Sequence, residues 1–350
     1  MILFSRWIVA GLLMIAPIAA GAAGPDQGEV GIITGMAGGT YAGTAADLTI
    51  LDDAKLPLRV LPIGGKGSLQ NLNDIMNLRG VDIGFVQGDA LTYAKQGKLF
   101  SPDMLNKIQY IAKLYDEEVH IIARPGINTI DDLRGKRINS DVSGSGSAMT
   151  AGIILDSFHI DAVVSHKRQV DAIQELRQGS IDAIIHVGGA PIPLIANTPG
   201  EDLHFVPVPL TPELAKTYLP AQIGHDQYPN LLGSGAEPVA TLAISDVMAV
   251  YGWPAGTERY RRVARFVDAF FDRFSEFQQP PRHPKWREVN PFAQVPGWPR
   301  FPEAQAYIDR QHEMDRLARF VGTRDSLALS PQDRNNLFSQ YEAWRQQHPQ

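Results

Sequence analysis

Glycines and hydroxyl residues gather in this sequence at the ends of short apolar runs. Gly35-Met36-Ala37-Gly38-Gly39-Thr40-Tyr41 follows the run Val30–Thr34. Gly64 to Leu72, "GGKGSLQNL", follows Leu58–Ile63, and Val86 to Leu91, "VQGDAL", follows Ile83–Phe85. Each loop leads into a helical pattern. At such points helix N-termini present unpaired N–H groups and partial positive charge, which suits a carboxylate or a phosphate. Thr40, Ser68 and Asp89 stand where a side chain can bond a bound molecule. Two readings remain open for any one loop. The glycines leave room for a ligand, or they permit a turn while Ser and Thr cap a helix. Three such loops on consecutive runs favour the first reading.

A matching set lies further along. Arg137 to Ala151, "RINSDVSGSGSAMTA", ends a run in a Ser/Gly loop that opens a helix near Ser145–Ala148. Ile184 to Pro191, "IIHVGGAP", ends another run in His186 and two glycines. His186 is balanced between ligand contact and a structural role. The pattern G-x-x-x-x-G-K-[ST] of a phosphate loop is absent, and Gly144-Ser145-Gly146-Ser147-Ala148 lacks the G-x-S-x-G order of a nucleophile elbow. The nine histidines are scattered without H-x-x-x-H or H-E-x-x-H spacing, so no metal site is expected. A Ser–His–Asp hydrolase has its residue types present but no motif.

The elements that must hold these loops alternate. Strands are predicted at Val30–Thr34, Leu58–Ile63, Asp82–Gln87, Ile108–Leu114, Val119–Arg124, Lys136–Asn139, Asp182–Val187, Leu203–Val208 and Val239–Ser245. Helical patterns at Ser68–Leu78, Ser147–Phe158 and Val170–Arg177 fall between them. Val- and Ile-rich strands alternating with helices predict a doubly wound α/β architecture, in which ligands bind outside the carboxyl ends of the strands. The tail changes character. Thr257–Phe274 is amphipathic, with Tyr260, Val263, Val267, Phe270, Phe271 and Phe274 on one stripe and Arg261, Arg262, Arg265 and Asp268 facing elsewhere. Helices are also predicted at Pro302–Phe320 and Pro331–Gln347, the latter opened by Ser330 as cap and Pro331 at the first position.

Length and composition set the frame. The 350 residues suffice for two domains, and a net charge of −6 argues against a general nucleic-acid binder. Arg6, the apolar run Trp7–Ile18 and Ala20-Gly21-Ala22 read as an export signal spanning residues 1–23, with cleavage near Ala22 or Ala23. That run is too short to cross a bilayer. With no cysteine the chain has no disulfide, thiolate metal site or acylation site, and a periplasmic location is expected.

Taken together, "ITGMAGGTYAGTAADL", "IGGKGSLQNLNDIMNLRGVDIGFVQGDAL", "HIIARPGINTIDDLRGKRI", "SGSGSAMTAGIIL" and "GSIDAIIHVGGAP" resemble the TAXI-type solute-binding receptors of tripartite ATP-independent periplasmic (TRAP) transporters, related to the NMT1-like binding proteins. Their order matches that family's pattern from about Val30 to Pro193, and more weakly through "YPN" and "VATLAISDVM". The resemblance implies a two-domain periplasmic-binding-protein fold of type II-like form, with doubly wound sheets joined by hinge segments near His120–Arg124 and Val239–Ser245. Domain 1 would comprise residues 24–121 and 240–290, domain 2 residues 122–239, and residues 291–350 a helical C-terminal extension. It places ligand contacts at Gly38, Gly39, Thr40 and Tyr41; at Gly65, Gly67 and Ser68; at Gln87 and Asp89; at Ser143, Ser145 and Ser147; and at His186 and Gly188. Tyr41 would stack on the ligand or close over it. Lys66 interrupts the usual glycine–serine spacing, and Gly88 stands where serine is common. The implied function is capture of a small organic anion, a dicarboxylate or acidic amino acid, by hinge closure and delivery to a TRAP-type permease. No catalysis, cofactor, metal or nucleic acid is expected, and the chain would be a monomer. A periplasmic sensor, an NMT1-like receptor for an ABC permease and a periplasmic hydrolase are the competing readings.

Overall fold

The computed structural model describes residues 28–53, 57–200 and 202–321, with residues 330, 332, 333, 336, 339 and 340. The expected export signal and most of the predicted helix over 331–347 lie outside the described residues. Among the described residues no helix is long and apolar enough to cross a membrane.

The alternating pattern becomes β1 (Glu29–Ile33), α1 (Thr40–Asp47), β2 (Arg59–Ile63), α2 (Ser68–Asn77), β3 (Ile83–Gln87), α3 (Ala90–Gln96) and a short α4 (Pro102–Leu105). β2 and β3 flank β1, both parallel to it. A 16-residue strand, β4 (Ile108–Ala123), follows. Then come β5 (Arg137–Asn139), α5 (Gly146–Ser157), β6 (Val163–Ser165), α6 (Gln169–Gln178), β7 (Ala183–Gly188), α7 (Pro193–Ala196), β8 (His204–Phe205), β9 (Leu219–Ile223) and β10 (Val239–Tyr251). The strand order is β2-β1-β3-β10-β4-β7-β5-β6.

Two long antiparallel strands join the halves of this sheet. β10 pairs with β3 through Asp246–Val250 and with β9 through Val239–Ala243. β4 pairs with β10 up to Glu118, where β7 takes over through Ala123. The predicted break between Leu114 and Val119 is therefore absent: Asp116, Glu117 and Glu118 continue the strand. β10 likewise runs past Ser245 to Tyr251, with register shifts between Ser245 and Ala249. β8 is shorter than the predicted Leu203–Val208 because only Ile122 and Ala123 pair with it.

Helices cover both faces, as a largely buried sheet requires. On one face, α8 (Glu258–Asp272) packs Val263, Phe266, Val267, Phe270 and Phe271 into a cluster with β1, β3 and the end of β10. Phe266 joins the predicted stripe. Arg262, expected to face away, is buried, because its guanidinium and that of Arg259 converge on the interior carboxylate of Asp82. A one-turn α9 (Phe274–Phe277) follows, and the chain then returns across this face. Trp286 and Phe301 are fully enclosed, and α10 (Pro302–Val321) adds Ala304, Tyr307 and Ile308. The described part of the C-terminal extension thus completes the core of the first half of the sheet.

Candidate functional site

The loops at the strand ends meet around one cavity of about 600 Å3 between the two halves of the sheet. Gly38 turns the chain after β1 at φ 86°, and Gly39 precedes α1 without a side-chain cap. Gly67, at φ 96°, does the same for α2. Ser145 caps α5 by accepting from the Ala148 N–H at 3.1 Å. None of these three helices has an acidic residue in its first turn, so each N-terminus keeps its positive end facing the cavity region. Two lining residues, Ser68 (φ 23°) and Asp141 (φ 71°), hold left-handed backbone that side-chain-bearing residues seldom adopt, a feature that clusters at binding sites.

Of the residues expected from sequence, Gly38, Gly39, Thr40, Tyr41, Gly67, Ser68, Gln87, Ser145, Ser147, His186 and Gly188 line this cavity. Three do not. Gly65 backs onto β1, where an added Cβ would lie 2.5 Å from the Thr34 carbonyl oxygen. Asp89 turns away to accept from the Tyr218 hydroxyl at 2.8 Å, and burial pushes its carboxyl up to about 6. Ser143 lies on a separate hollow behind α5, beside His166.

Several lining side chains are already engaged. Thr40 donates to the Gly189 carbonyl at 2.9 Å, a bond from the first half of the sheet to the second. Tyr41 points its hydroxyl inward, to Glu117 Oε2 at 3.2 Å and Asp246 Oδ1 at 3.0 Å, with its ring edge-on to Phe85. Its ring is therefore fixed in the wall instead of being free to swing over a ligand. Ser68 Oγ accepts from the Gln87 N–H at 3.2 Å. Gln87 in turn donates to Glu117 Oε2 at 3.2 Å and accepts from Thr150 on α5. The close approach of α5 depends on Gly146, where a Cβ would lie 2.2 Å from Gln87 Oε1 and 2.5 Å from Ser68 Oγ.

Glu117 is the main site residue that the sequence reading did not single out. It is 2% exposed and lines the cavity floor. Burial raises its carboxyl to about 8, against the opposing pull of the Gln87 and Tyr41 hydrogen bonds. Burial, then the nearby Glu117, also raises Asp246. The available signal was the run Asp116-Glu117-Glu118 inside an otherwise apolar strand. Lys66, Arg168 and Arg177 add positive charge around the cavity, with Arg168 held by Asp171.

Ser147, His186 and Asp141 come together, yet not as a catalytic relay. A relay needs the serine on one ring nitrogen and the acid on the other. Here Ser147 Oγ at 3.3 Å and Asp141 Oδ2 at 3.8 Å both approach His186 Nδ1. Ser147 Oγ also accepts from the Val187 N–H at 3.0 Å, tying it to the strand. Burial lowers the imidazole's affinity for a proton, while Asp141 opposes this. Among the described residues no cluster of three His, Asp or Glu side chains is arranged to hold a metal ion.

Two α/β halves joined by long shared strands, with loops closing on a cavity between them, form the fold of the periplasmic solute-binding proteins. The NMT1-like family pattern matches residues 32–251, and the chain belongs to that family. Solved structures that this chain resembles include the periplasmic binding protein BugD, at 15% identity and a TM-score of 0.47, covering 84% of this chain and 97% of that one. The GluR0 ligand-binding core from Nostoc punctiforme, in complex with L-glutamate, matches at 16% identity and a TM-score of 0.41, over 71% of this chain and 93% of that one. The substrate binding protein of an amino acid ABC transporter matches at 12% identity and a TM-score of 0.40, over 71% and 93%.

Proposed function

We propose that this chain is a periplasmic receptor that captures a small organic anion, a dicarboxylate or an acidic amino acid, without chemical change. The observation that supports this most is the convergence of α1, α2 and α5, none with an acid in its first turn, on one cavity beside Lys66. A carboxylate there gains N–H donors and helix-end charge together.

In this reading residues 24–121 with 240–290 form one binding domain and 122–239 the other, pivoting on β4 and β10. The change of pairing partner at Glu118 and the irregular register near Ser245–Ala249 support a pivot before His120. Closure excludes water and strengthens the ligand's hydrogen bonds. The Thr40–Gly189 bond and the Asp89–Tyr218 bond would then be contacts of the closed form. Export by residues 1–23, a monomeric state and delivery to a TRAP-type permease complete the proposal.

A thermal-shift screen of carboxylates and amino acids tests it. A ligand at 100 times its Kd stabilises by about 2.7 kcal/mol. Ser145→Phe should abolish that shift by filling the cavity. If only neutral solutes shift the midpoint, or if the Ser145→Phe shift matches wild type, the proposal is wrong.

A further inference from the structure

We propose that the ligand carries an ammonium group beside its carboxylate and seats it on Glu117 at the cavity floor, so that an amino acid and not a plain dicarboxylate is the preferred class. This rests on the receptor reading above and narrows its ligand.

The geometry is specific to one oxygen. Both hydrogen bonds to the Glu117 carboxyl, from Tyr41 and Gln87, arrive at Oε2. Among the described residues Oε1 takes none, and unlike Asp246 Oδ2 it is not sealed from solvent: it opens on the cavity that the residue lines. An acceptor open to the cavity is free to take a donor from a ligand. The groups facing Glu117 are Tyr41 from α1, Gln87 from β3 and Asp246 from β10, with Tyr115 and Glu118 on its own strand. Lys285, the cation that acts on Glu117, has its own hydrogen bonds to Glu118 and Glu288. The floor therefore has an acceptor to spare and no cation committed to it.

His186 adds to this demand for a donor. Asp141 and Ser147 hold its Nδ1, and the Asp141 carboxylate favours the tautomer with the proton there. Nε2, on the side of Gly188, is then an acceptor. Acceptors on the floor and helix N-termini around it make a two-sign site, whose complement is a zwitterion. Glu117, raised to about 8 by burial, gives up its proton readily when an ammonium pairs with the carboxylate, whereas a second carboxylate could be held only by the protonated form.

Titration calorimetry on the full mature chain decides this. The probes are the L-amino acids, the carboxylates that lack only the amino group (succinate for aspartate, glutarate for glutamate) and the amines that lack only the carboxylate. The best amino acid should bind at least tenfold more tightly than its deaminated twin. Glu117→Gln should shrink that preference to about threefold or less. Equal binding of amino acid and twin by wild type overturns the ammonium seat and leaves the anion receptor standing. Binding of amines with no response to carboxylates supports the seat and overturns the anion reading. The wild-type comparison holds even if Glu117→Gln fails to fold, and silence from all three sets overturns both.

Discussion

Lys285→Met removes a buried cation from the seam between the C-terminal segment and the sheet. Lys285 Nζ lies 2.7 Å from Glu118 Oε1 and 2.7 Å from Glu288 Oε2, and its side chain is 1% exposed. Glu118 keeps one other partner, the Ala190 N–H at 2.7 Å. Methionine fills most of the lysine volume, so the loss is chiefly electrostatic. Removing one member of a buried pair costs roughly 3–5 kcal/mol, because the other charge is left uncompensated. For a chain of this length, an unfolding entropy of about 2.1 cal/mol/K per residue turns that into a fall in Tm of roughly 4–7 °C. The fall should depend on pH. Burial already raises the Glu118 carboxyl with Lys285 in place, and losing the cation raises it further. A carboxyl raised by folding contributes stability below its unfolded pKa and loses it as pH rises through the folded value. The variant should therefore be closer to wild type at about pH 5 than at about pH 8. Thermal denaturation followed by circular dichroism at both values measures this. Adding Glu118→Gln to Lys285→Met should recover part of the loss at the higher pH. A Lys285→Met midpoint equal to wild type at about pH 8, or no recovery in the double variant, refutes the reasoning.

Two further outcomes are expected. Gly146→Ala puts a methyl group where Gln87 Oε1 and Ser68 Oγ already sit, and overpacking of this kind costs about 1–3 kcal/mol. If closure brings α5 onto α2, ligand affinity should fall roughly 5- to 150-fold while the ligand-free Tm changes little, and unchanged affinity in calorimetry speaks against closure there. The ligand-free protein should lose stability as pH rises from about 6.5 to 8. Glu117, raised from an ordinary 4.5 to about 8, loses its contribution as pH climbs through that span. His120, lowered from 6.5 to about 3 by burial, loses its contribution as pH falls. Asp246 and Glu118, also raised by burial, add to the same decline, so Glu117→Gln should reduce the fall from about pH 6.5 to 8 without abolishing it, and an undiminished decline would show that other groups cause it.

The parts of this fold that sequence made legible are those set by local pattern. Short Val- and Ile-rich runs became β1, β3 and β7, and the Ser/Gly starts of α2 and α5 fell within a residue of their expected positions. The cavity loops followed, because a strand end that feeds a helix puts its glycines at the same edge of the sheet. What failed was partnership over distance. Thr40 and Asp89 are correctly placed on their loops, yet their side chains answer to Gly189 and Tyr218, far along the chain. Three successive acids read as a loop between strands, while in the structure Glu117 and Glu118 are buried by Tyr41, Gln87, Ala190 and Lys285. Arg262 shows the same limit: an arginine on the polar side of a helix became interior through Asp82.

The most direct test of the account is a crystal structure of the protein with its tightest-binding solute. Density is expected in the cavity, with a carboxylate on the N–H groups at the starts of α2 and α5 and an ammonium nitrogen within hydrogen-bond distance of Glu117 Oε1. A solute bound elsewhere on the molecule, or one in the cavity that presents no anionic group to those helix starts, would contradict it.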